Sequence, residues 1–341
     1  MPHLSNDPRA DIRRAFAAVS AKTFSAAELE SALALIRTHF PPTPQQPWPL
    51  LSALAGAEVW VKHENHTPVG AFKVRGGLVH LERLRRAHPD LKGVISATRG
   101  NHGQSLAYAG QAMGVDVTVV VPEGNSTEKN NLMQGFGARL VVHGQDFEAA
   151  REEAFRLAAA ENLIFVPSFH PDLVLGVATW ALEFLRAAPK LDALYVPIGL
   201  GSGICGAIGV RDLLGHATEI IGVQSSGADP YARSLAAGHI VVLNRADTLA
   251  DGIAVRMPDE TALAIIRGGA ARIVTVTDEE IAEAIRAYWR ATHNLAEGAG
   301  AAPLAALLKE RAHQAGRRIG LVLTGGNIDL SLFRSWALAK D

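Results

Sequence analysis

The chain has 341 residues, 48% of them apolar and 20% charged, which is enough to bury a large core and excludes a disordered protein. Its 33 basic and 34 acidic residues give a net charge of −1 without a basic block, which argues against nucleic acid or an anionic membrane as a partner. Cys205 is the only cysteine, so a disulfide framework and a thiolate metal cluster are excluded.

The predicted elements alternate between helix and strand along the chain. Residues 1–16 contain no apolar signal core, and no run of about 18 apolar residues occurs, so we expect a soluble cytoplasmic protein. The first helix is predicted in SAAELESALALIRTHF with Ser25 as its N-cap, and the prolines of PPTPQQPWP break it. Predicted strands follow in EVWVKHEN, GVISATRGN, DVTVVVPEG, GARLVVHG, LIFVPSF, ALYVPIG, EIIGVQS and IGLVLTGGN. Predicted helices lie between them in GQSLAYAGQAMG, DFEAAREEAFRLAAAEN, LGVATWALEFLRAA and DEEIAEAIRAYWRATHN, the last with acidic residues in its first turn.

This order predicts an open α/β fold with right-handed crossovers. Continuous β-branched runs such as DVTVVV are typical of parallel strands that are covered on both faces. In such sheets ligands bind beyond the carboxyl ends of the strands, which is where the glycine-rich turns of this sequence fall. We see no flexible linker, so any two domains are expected to share a close interface.

The turn GLGSG, residues 199–203, follows a predicted strand and opens a helix. Its glycines free backbone amides to converge on an anion at the helix N-terminus. From Gly201 to Gly206 the chain also matches G-x-G-x-x-G, so a NAD site is an alternative. The next strand ends in Gln224, where a NAD site usually has an acidic residue, which argues against that alternative. A tight turn that binds nothing is the other alternative.

Three further segments contain residues that could bind a ligand or take part in catalysis. In TRGNHGQ, residues 98–102 and the first amides of the following helix could bind a carboxylate. In LTGGNID, Thr324 leaves the last strand just before two glycines. In VGAFKVRGG, Lys73 stands between Phe72 and Val74, either as an ordinary surface cation or as a covalent catalyst.

Together these four segments resemble the fold-type II pyridoxal-phosphate enzymes, and among them the serine/threonine dehydratase family. Each motif alone is weak, but their order and spacing agree with the family over residues 43–329. The resemblance implies an α/β fold like that of tryptophan synthase β, with two open, twisted, mostly parallel sheets flanked by helices. It implies a large cofactor-binding domain, residues 1–92 and 171–341, and a small domain, residues 93–170, that starts with the substrate-carboxylate loop.

The resemblance also assigns roles to matched residues. Lys73 would bind pyridoxal 5′-phosphate covalently, Thr324 would face its pyridine nitrogen, and Asn101 would lie near its ring hydroxyl. Asp251 and Glu297 stand in two further stretches familiar from the family, although Gly298 replaces the usual proline. The predicted cofactor-binding residues are Phe72, Lys73, Asn101, Gly199, Leu200, Gly201, Ser202, Gly203 and Thr324. The predicted substrate-binding residues are Thr98, Arg99, Gly100, Asn101 and His102.

The residue types suit this chemistry. A lysine that binds the cofactor covalently must be a neutral amine for part of the cycle, so an apolar setting beside Phe72 and Val74 is favourable. The freed amine of Lys73 can then remove the Cα proton of an amino acid. A hydroxyl at Thr324, unlike a carboxylate, does not hold the pyridine nitrogen protonated, which favours prompt loss of a β-hydroxyl over transamination.

Two departures from the family pattern lie close to these residues. Ala71 replaces the serine that usually precedes Phe-Lys, so a local hydroxyl is missing. Arg99 stands where serine racemases have their second acid/base serine, and arginine stays protonated, so we expect poor racemisation. Arg99 would either meet an acidic group of substrate or cofactor, or form a surface ion pair.

Two more departures concern regulation. Gln224 and Pro230 occupy the places of the carboxylates that bind a divalent cation in several relatives, so we predict no metal at that site. The sequence stops shortly after TGGNID, so we expect no C-terminal regulatory domain and no feedback inhibition by isoleucine.

The sequence therefore predicts a pyridoxal-phosphate-dependent ammonia-lyase that converts a β-hydroxy-α-amino acid into a 2-oxo acid and ammonia. Threonine or serine are the default substrates, with phenylserine and hydroxyaspartate as alternatives. The rival functions are β-replacement, disfavoured by His102 where cysteine synthases usually have threonine, NAD-dependent oxidoreduction, and cofactor-free binding. The family expectation is a homodimer.

Overall fold

A computed structural model describes residues 23–338 of the chain, so the prediction for residues 1–16 lies outside the described part. A six-stranded sheet has the order β1-β2-β10-β7-β8-β9, in which β1 is antiparallel to β2 and every other neighbouring pair is parallel. Its strands are β1 (Gln45–Pro47), β2 (Glu58–His63), β7 (Ala193–Pro197), β8 (Glu219–Ser225), β9 (Arg272–Val276) and β10 (Arg318–Leu323).

A second, four-stranded sheet has the order β5-β4-β3-β6 and is parallel throughout. Its strands are β3 (Gly93–Ala97), β4 (Asp116–Val121), β5 (Arg139–Val142) and β6 (Ile164–Phe165). The strands β3 and β4 are buried almost throughout, which explains their continuous β-branched runs. The predicted fold class, two open and mostly parallel sheets flanked by helices, is confirmed.

Fourteen α-helices among the described residues connect and cover the sheets. Those before β7 are α1 (Ala26–Arg37), α2 (Pro49–Ala55), α3 (Lys73–Ala87), α4 (Asn101–Met113), α5 (Thr127–Gly135), α6 (Phe147–Glu161) and α7 (Pro171–Ala187). Those after β7 are α8 (Ser202–Leu213), α9 (Pro230–Ala237), α10 (Glu260–Gly269), α11 (Asp278–Thr292), α12 (Gly298–Lys309), α13 (Arg311–Gln314) and α14 (Leu330–Leu332). Between residues 23 and 338, no helix is long and apolar enough to cross a bilayer.

The ends of several helices agree with the sequence. Ser25 caps α1 in a capping box with Glu28, as its position predicts. Helix α11 has Asp278 and Glu279 in its first turn, where acidic side chains stabilise the helix dipole. The division into two domains stays a prediction; the second sheet consists of strands between residues 93 and 165.

The sequence prediction missed several helices, among them α2, α5, α9, α10 and α12, and it differs from the structure in other elements as well. The proline-rich segment after α1 contains the short strand β1. Proline is tolerated in this strand because β1 lies at the edge of its sheet. Strand β6 is only two residues long, and β9 was not predicted although RIVTV is β-branched. Helix α3 was not predicted either, because two glycines interrupt its pattern.

The fold brings the glycine-rich turns to one side of the sheets. Residues 98–100 follow β3, residues 198–201 follow β7, and Thr324 follows β10, so all three turns lie at carboxyl ends of parallel strands. Lys73 begins α3, after the loop that follows β2. This arrangement matches the general location of ligand sites in open α/β sheets.

Candidate active site

Lys73 is the first residue of α3, and its side chain is partly buried. Its Nζ donates a hydrogen bond to Ser202 Oγ at 3.1 Å and lies 5.2 Å from the centre of the Phe72 ring. Burial lowers the pKa of Lys73 to about 8, against the opposing effect of the Glu297 carboxylate. The surface-cation alternative is therefore wrong, and the amine loses its proton much more readily than an exposed lysine.

The turn after β7 approaches Lys73 with its glycines. A Cβ added at Gly199 would lie 2.6 Å from the carbonyl oxygen of Gly252, and one at Gly203 would lie 3.4 Å from the Phe72 ring. Gly201 is the N-cap of α8 with a φ of +101°, and no side chain of the described residues caps this helix. The first amides of α8 are therefore available to an anion, and the close packing at Gly199 and Gly201 leaves no room for a Cβ at those two positions.

The turn after β3 supplies the predicted substrate-binding residues. Thr98 Oγ1 accepts a hydrogen bond from the Gly100 amide at 3.2 Å, and Gly100 packs against the side chain of Lys129. His102 is buried; burial and the nearby Lys73 lower its pKa to about 3, so it is a neutral imidazole. Its Nε2 has no hydrogen-bond partner among residues 23–338. Neutral His102 cannot attract a carboxylate by charge, so the turn relies on backbone amides.

Asn101 connects this turn to Glu297, a contact that no sequence spacing suggested. Asn101 Nδ2 donates to Glu297 Oε1 at 2.8 Å and to Oε2 at 3.1 Å. Asn101 Oδ1 accepts from Asn327 Nδ2 at 2.8 Å, and Asn327 Nδ2 also lies 3.0 Å from Gln104 Oε1. The amide of Asn101 is thus oriented from both sides, by Glu297 and Asn327 of two other segments.

Thr324 and Ala71 join the last strand to the lysine loop. The Phe72 amide donates to the Thr324 carbonyl oxygen at 2.8 Å, and Ala71 pairs with Gly325 in an isolated antiparallel bridge. The Ala71 amide donates to Thr67 Oγ1 at 2.9 Å, and that hydroxyl donates back to the Ala71 carbonyl oxygen at 2.8 Å. A hydroxyl therefore supports the backbone at Ala71 from position 67.

A cavity of about 190 Å³ extends from Glu297 towards solvent. Arg99 is exposed and lines it, as do Lys129 and Asp251. Lys129 is nearly buried and forms an ion pair with Asp251, and that carboxylate together with Glu297 raises the pKa of Lys129 despite its burial. Arg99 at the cavity is consistent with its predicted contact to an acidic ligand group, which stays a prediction.

Gln224, at the end of β8, has turned inward. Its Oε1 accepts a hydrogen bond from the Ala232 amide at 2.9 Å, and its Nε2 lies 3.5 Å from the Ala228 carbonyl oxygen. The buried amide thus crosslinks the loop that leads into α9 and is committed to backbone groups. It offers no acidic oxygen to the ribose of a dinucleotide.

A histidine cluster on α3 and α7 is a second feature that spacing did not reveal. His80, His170 and Asp172 offer ligand atoms that lie within 4.8 Å of one another. Arg83 Nη1 donates to Asp172 Oδ1 at 2.8 Å, and His80 Nδ1 lies 3.2 Å from Asp172 Oδ2. The carboxylate is therefore already bonded to the guanidinium and the imidazole, and the cluster links the two helices.

The structure brings several of the predicted site residues together, while their roles stay a prediction. Direct contacts join Lys73 to Ser202, Phe72 to Gly203, and Gly100 to Lys129. Glu297 and Lys129 complete the site, yet the prediction for binding residues missed both. Glu297 lies 196 positions from Asn101, so only the folded chain places them in contact.

The residues fit pyridoxal 5′-phosphate. The uncapped start of α8 and the close-packed glycines form an anion cradle, and a partly buried lysine with a lowered pKa lies 3.1 Å from the first residue of that helix. A phosphate and an aldehyde on one small molecule would use both features.

Replacing Gly201 by alanine is expected to weaken cofactor binding by about tenfold or more, because 1–3 kcal/mol of strain would distort the cradle. Gly201 combines its positive φ with a site where an added Cβ would lie 2.7 Å from the Ala262 Cβ. Titration of the apoprotein with pyridoxal phosphate, followed by fluorescence, measures the affinity.

The matched control is Gly215→Ala. Gly215 also has a positive φ, of +63°, but a Cβ there meets nothing within 4 Å. This variant should lose some stability and bind the cofactor as tightly as the wild-type protein. Equal affinities for both variants and wild type would contradict the cradle.

Comparisons with known proteins identify the family of the chain. The family model described as "Pyridoxal-phosphate dependent enzyme" matches residues 36–325. The chain is 39% identical over 277 residues to the L-threonine ammonia-lyase of Geobacter sulfurreducens, covering 81% of this chain and 68% of that protein. It is 33% identical over 297 residues to the beta-hydroxyaspartate dehydratase of Paracoccus denitrificans, covering 86% and 93%. The solved structure of the processed form of threonine deaminase isoform 2 from Solanum lycopersicum is similar with a TM-score of 0.84, 29% identity, and coverage of 93% and 94%.

Proposed function

The chain belongs to the pyridoxal-phosphate-dependent enzymes, and from that premise we propose that it is an ammonia-lyase which removes water from a β-hydroxy-α-amino acid. The products are a 2-oxo acid and ammonia. The observation that carries the proposal is the amine of Lys73, with its pKa lowered to about 8, which donates a hydrogen bond to Ser202 of the glycine turn. Such an amine can form the covalent bond to a cofactor aldehyde and can also act as a base.

The binding of the cofactor follows from the cradle and the lysine. Lys73 would hold the cofactor covalently, and residues 199–203 with the start of α8 would bind its phosphate. Thr324 would offer its hydroxyl to the ring nitrogen, and Phe72 would pack beside the ring. When bound, the cofactor supplies an electron sink that makes the Cα proton of an attached amino acid acidic.

The chain's own residues then orient the substrate and move protons. The amides at residues 98–102 would hold the substrate carboxylate, with the pair of Asn101 and Glu297 beside it. Lys73, as a neutral amine, accepts the Cα proton. Arg99 would contact a polar or acidic β-substituent at the cavity, and its constant charge disfavours racemisation.

The rival functions are weaker. NAD-dependent oxidoreduction is rejected, because the matched family region includes the whole G-x-G-x-x-G turn and Gln224 is committed to its own loop. A cofactor-free binding protein has no use for a buried amine with a lowered pKa. β-Replacement remains the alternative within the family.

Localisation and assembly belong to the same proposal. We propose a cytoplasmic homodimer of one large and one small domain per chain. The single cysteine, Cys205, is buried, and burial raises the pKa of its thiol, which suits a protein without redox chemistry of its own.

The proposal is tested with purified protein, pyridoxal phosphate and a panel of threonine, serine, 3-hydroxyaspartate and 3-phenylserine. We expect equal amounts of 2-oxo acid and ammonia from at least one of them. Release of neither product, together with incorporation of an added thiol at Cβ of an activated serine, would instead establish β-replacement.

A further inference from the structure

Glu297 is a buried carboxyl group at the junction of the two turns and the cavity. It is the N-cap residue of α12 and its side chain reaches Asn101, at the start of α4. Because Asn327 binds the oxygen of the Asn101 amide, the amide nitrogen must face Glu297. The carboxyl group also lines the cavity that opens beside the substrate-carboxylate turn. It is thus held in place between Asn101 and the cavity, beside the turn that would bind the substrate carboxylate.

The charges around Glu297 come from three elements. Lys73 on α3 and Lys129 on α5 favour its carboxylate form, whereas Asp251, in the short 3-10 helix Asp251–Ile253, disfavours it. Burial is the largest effect and raises the pKa of Glu297 to about 7, with Lys129 as the main opposing charge. The group therefore exchanges a proton near neutral pH, as a general acid must.

Resting on the proposed ammonia-lyase reaction, we propose that Glu297 is the catalytic acid that protonates the departing β-hydroxyl. Lys73 takes the proton from Cα, and the electron pair of that bond forms the Cα–Cβ double bond. The Cβ–O bond breaks with its electron pair on oxygen, which takes the proton of the Glu297 carboxyl group and leaves as water. The ammonium of Lys73 and the carboxylate of Glu297 remain, and transfer of the proton from the first to the second restores both groups.

The electrostatic coupling between Lys73 and Glu297 favours this order of proton transfers. While Lys73 is neutral, no ammonium charge lowers the pKa of Glu297, so the carboxyl group keeps its proton. Once Lys73 has accepted the Cα proton, its positive charge lowers the pKa of Glu297 and promotes donation to the leaving oxygen. Protonation of Lys73 thus promotes proton donation by Glu297.

The test compares two leaving groups in Glu297→Gln. The β-hydroxyl group leaves only when it is protonated and departs as water, whereas the chloride of β-chloroalanine needs no proton. We expect kcat for the β-hydroxy amino acid to fall by about 10²–10⁴-fold. Elimination of chloride should stay within about threefold of wild type, because only the acid is lost.

Two further readouts do not depend on turnover. Infrared difference spectra of the apoprotein should contain a buried carboxyl band that titrates near pH 7 and is absent in Glu297→Gln. The absorption of the bound cofactor should be the same in both proteins. The control Glu283→Gln changes an exposed carboxylate on α11 and should leave the band and both reactions unchanged.

Each outcome of these experiments supports or overturns the acid role of Glu297. Equal loss on both substrates, or no loss on either, overturns the acid role of Glu297. A wild-type protein that processes neither substrate overturns the proposed function, and the acid role with it. If Glu297→Gln unfolds, Glu297→Asp replaces it: this variant keeps a carboxyl group one methylene further back, so the hydroxy substrate should suffer more than the chloro substrate. Equal effects in that variant contradict the proposal.

Discussion

Lys73→Ala is expected to lower kcat for 2-oxo acid release by at least about 10⁴-fold, because one side chain provides both the covalent link and the base. The variant should also lack the visible absorption band of lysine-bound cofactor. The free energy of unfolding should not fall, because burial lowers the pKa of the Lys73 amine and so disfavours its charged form in the folded protein. The measurements are product release, the absorption spectrum with added pyridoxal phosphate, and thermal unfolding.

Lys73→Arg separates the charge of the residue from its chemistry. Arginine keeps the positive charge but stays protonated and forms no stable link to an aldehyde, so it should be as inactive as alanine. Lys309→Ala, at an exposed lysine on α12 that pairs with Glu280, is the matched control and should keep full activity. Activity of Lys73→Arg near that of wild type would show that only a cation is needed there.

Glu64→Ala should destabilise the folded protein by about 3–5 kcal/mol, because it leaves the buried cations Arg75 and Lys62 to share one buried carboxylate, that of Glu183. Arg75 donates to Glu64 through Nε at 2.7 Å and Nη2 at 2.9 Å, and both side chains are fully buried. Thr43 Oγ1 adds a hydrogen bond to Glu64 at 2.6 Å. Arg75 is two residues after Lys73, so this pair also holds the first turn of α3. Denaturant unfolding of both proteins measures the free-energy difference.

Glu58→Ala is the control for this prediction. Glu58 pairs with Arg318 at the surface, at 3.0 Å, and such exposed pairs contribute about 0–1 kcal/mol. Both variants remove a glutamate carboxylate that pairs with an arginine; the pair with Arg75 is buried and the pair with Arg318 is exposed. A loss below about 1 kcal/mol in Glu64→Ala would mean that the buried pair contributes no more than the surface pair.

The segments of the candidate site were predictable from the sequence because each of them is local. The Lys73 segment, the glycine turn before Ser202 and the turn before Asn101 each lie at a strand end or helix start, where short motifs carry the geometry. The contact between the Lys73 segment and the glycine turn follows from the parallel strands β2 and β7 of the six-stranded sheet, whose carboxyl ends share one edge. The turn before Asn101 follows β3 in the second sheet, so its contact with the other two depends on tertiary packing.

The contacts of Glu297 and Lys129 could not be predicted, because their partners are distant in sequence. Glu297 meets Asn101 only when α12 packs near α4, and Lys129 meets Asp251 across 122 positions. The buried ions Lys62 and Glu183 show the same limit, since charged residues inside a core look like surface residues in sequence. Long-range pairing is invisible to motif and periodicity alone.

Helix α3 was missed for a physical reason that the structure makes plain. Its Gly76 lies where a Cβ would come 2.9 Å from the Leu173 carbonyl oxygen of α7, and Gly176 of α7 packs against the backbone of α3 in return. The two helices cross with glycine against backbone, so the residues that weaken helix propensity are those that allow the packing. Tertiary contact outweighs local preference here.

The most direct test is borohydride reduction of the protein with bound pyridoxal phosphate, followed by peptide mapping by mass spectrometry. The account predicts a phosphopyridoxyl group on the peptide that contains Lys73, in close to one copy per chain. Modification of another lysine instead, such as Lys62 or Lys129, or no modification while the protein forms 2-oxo acid, would contradict it.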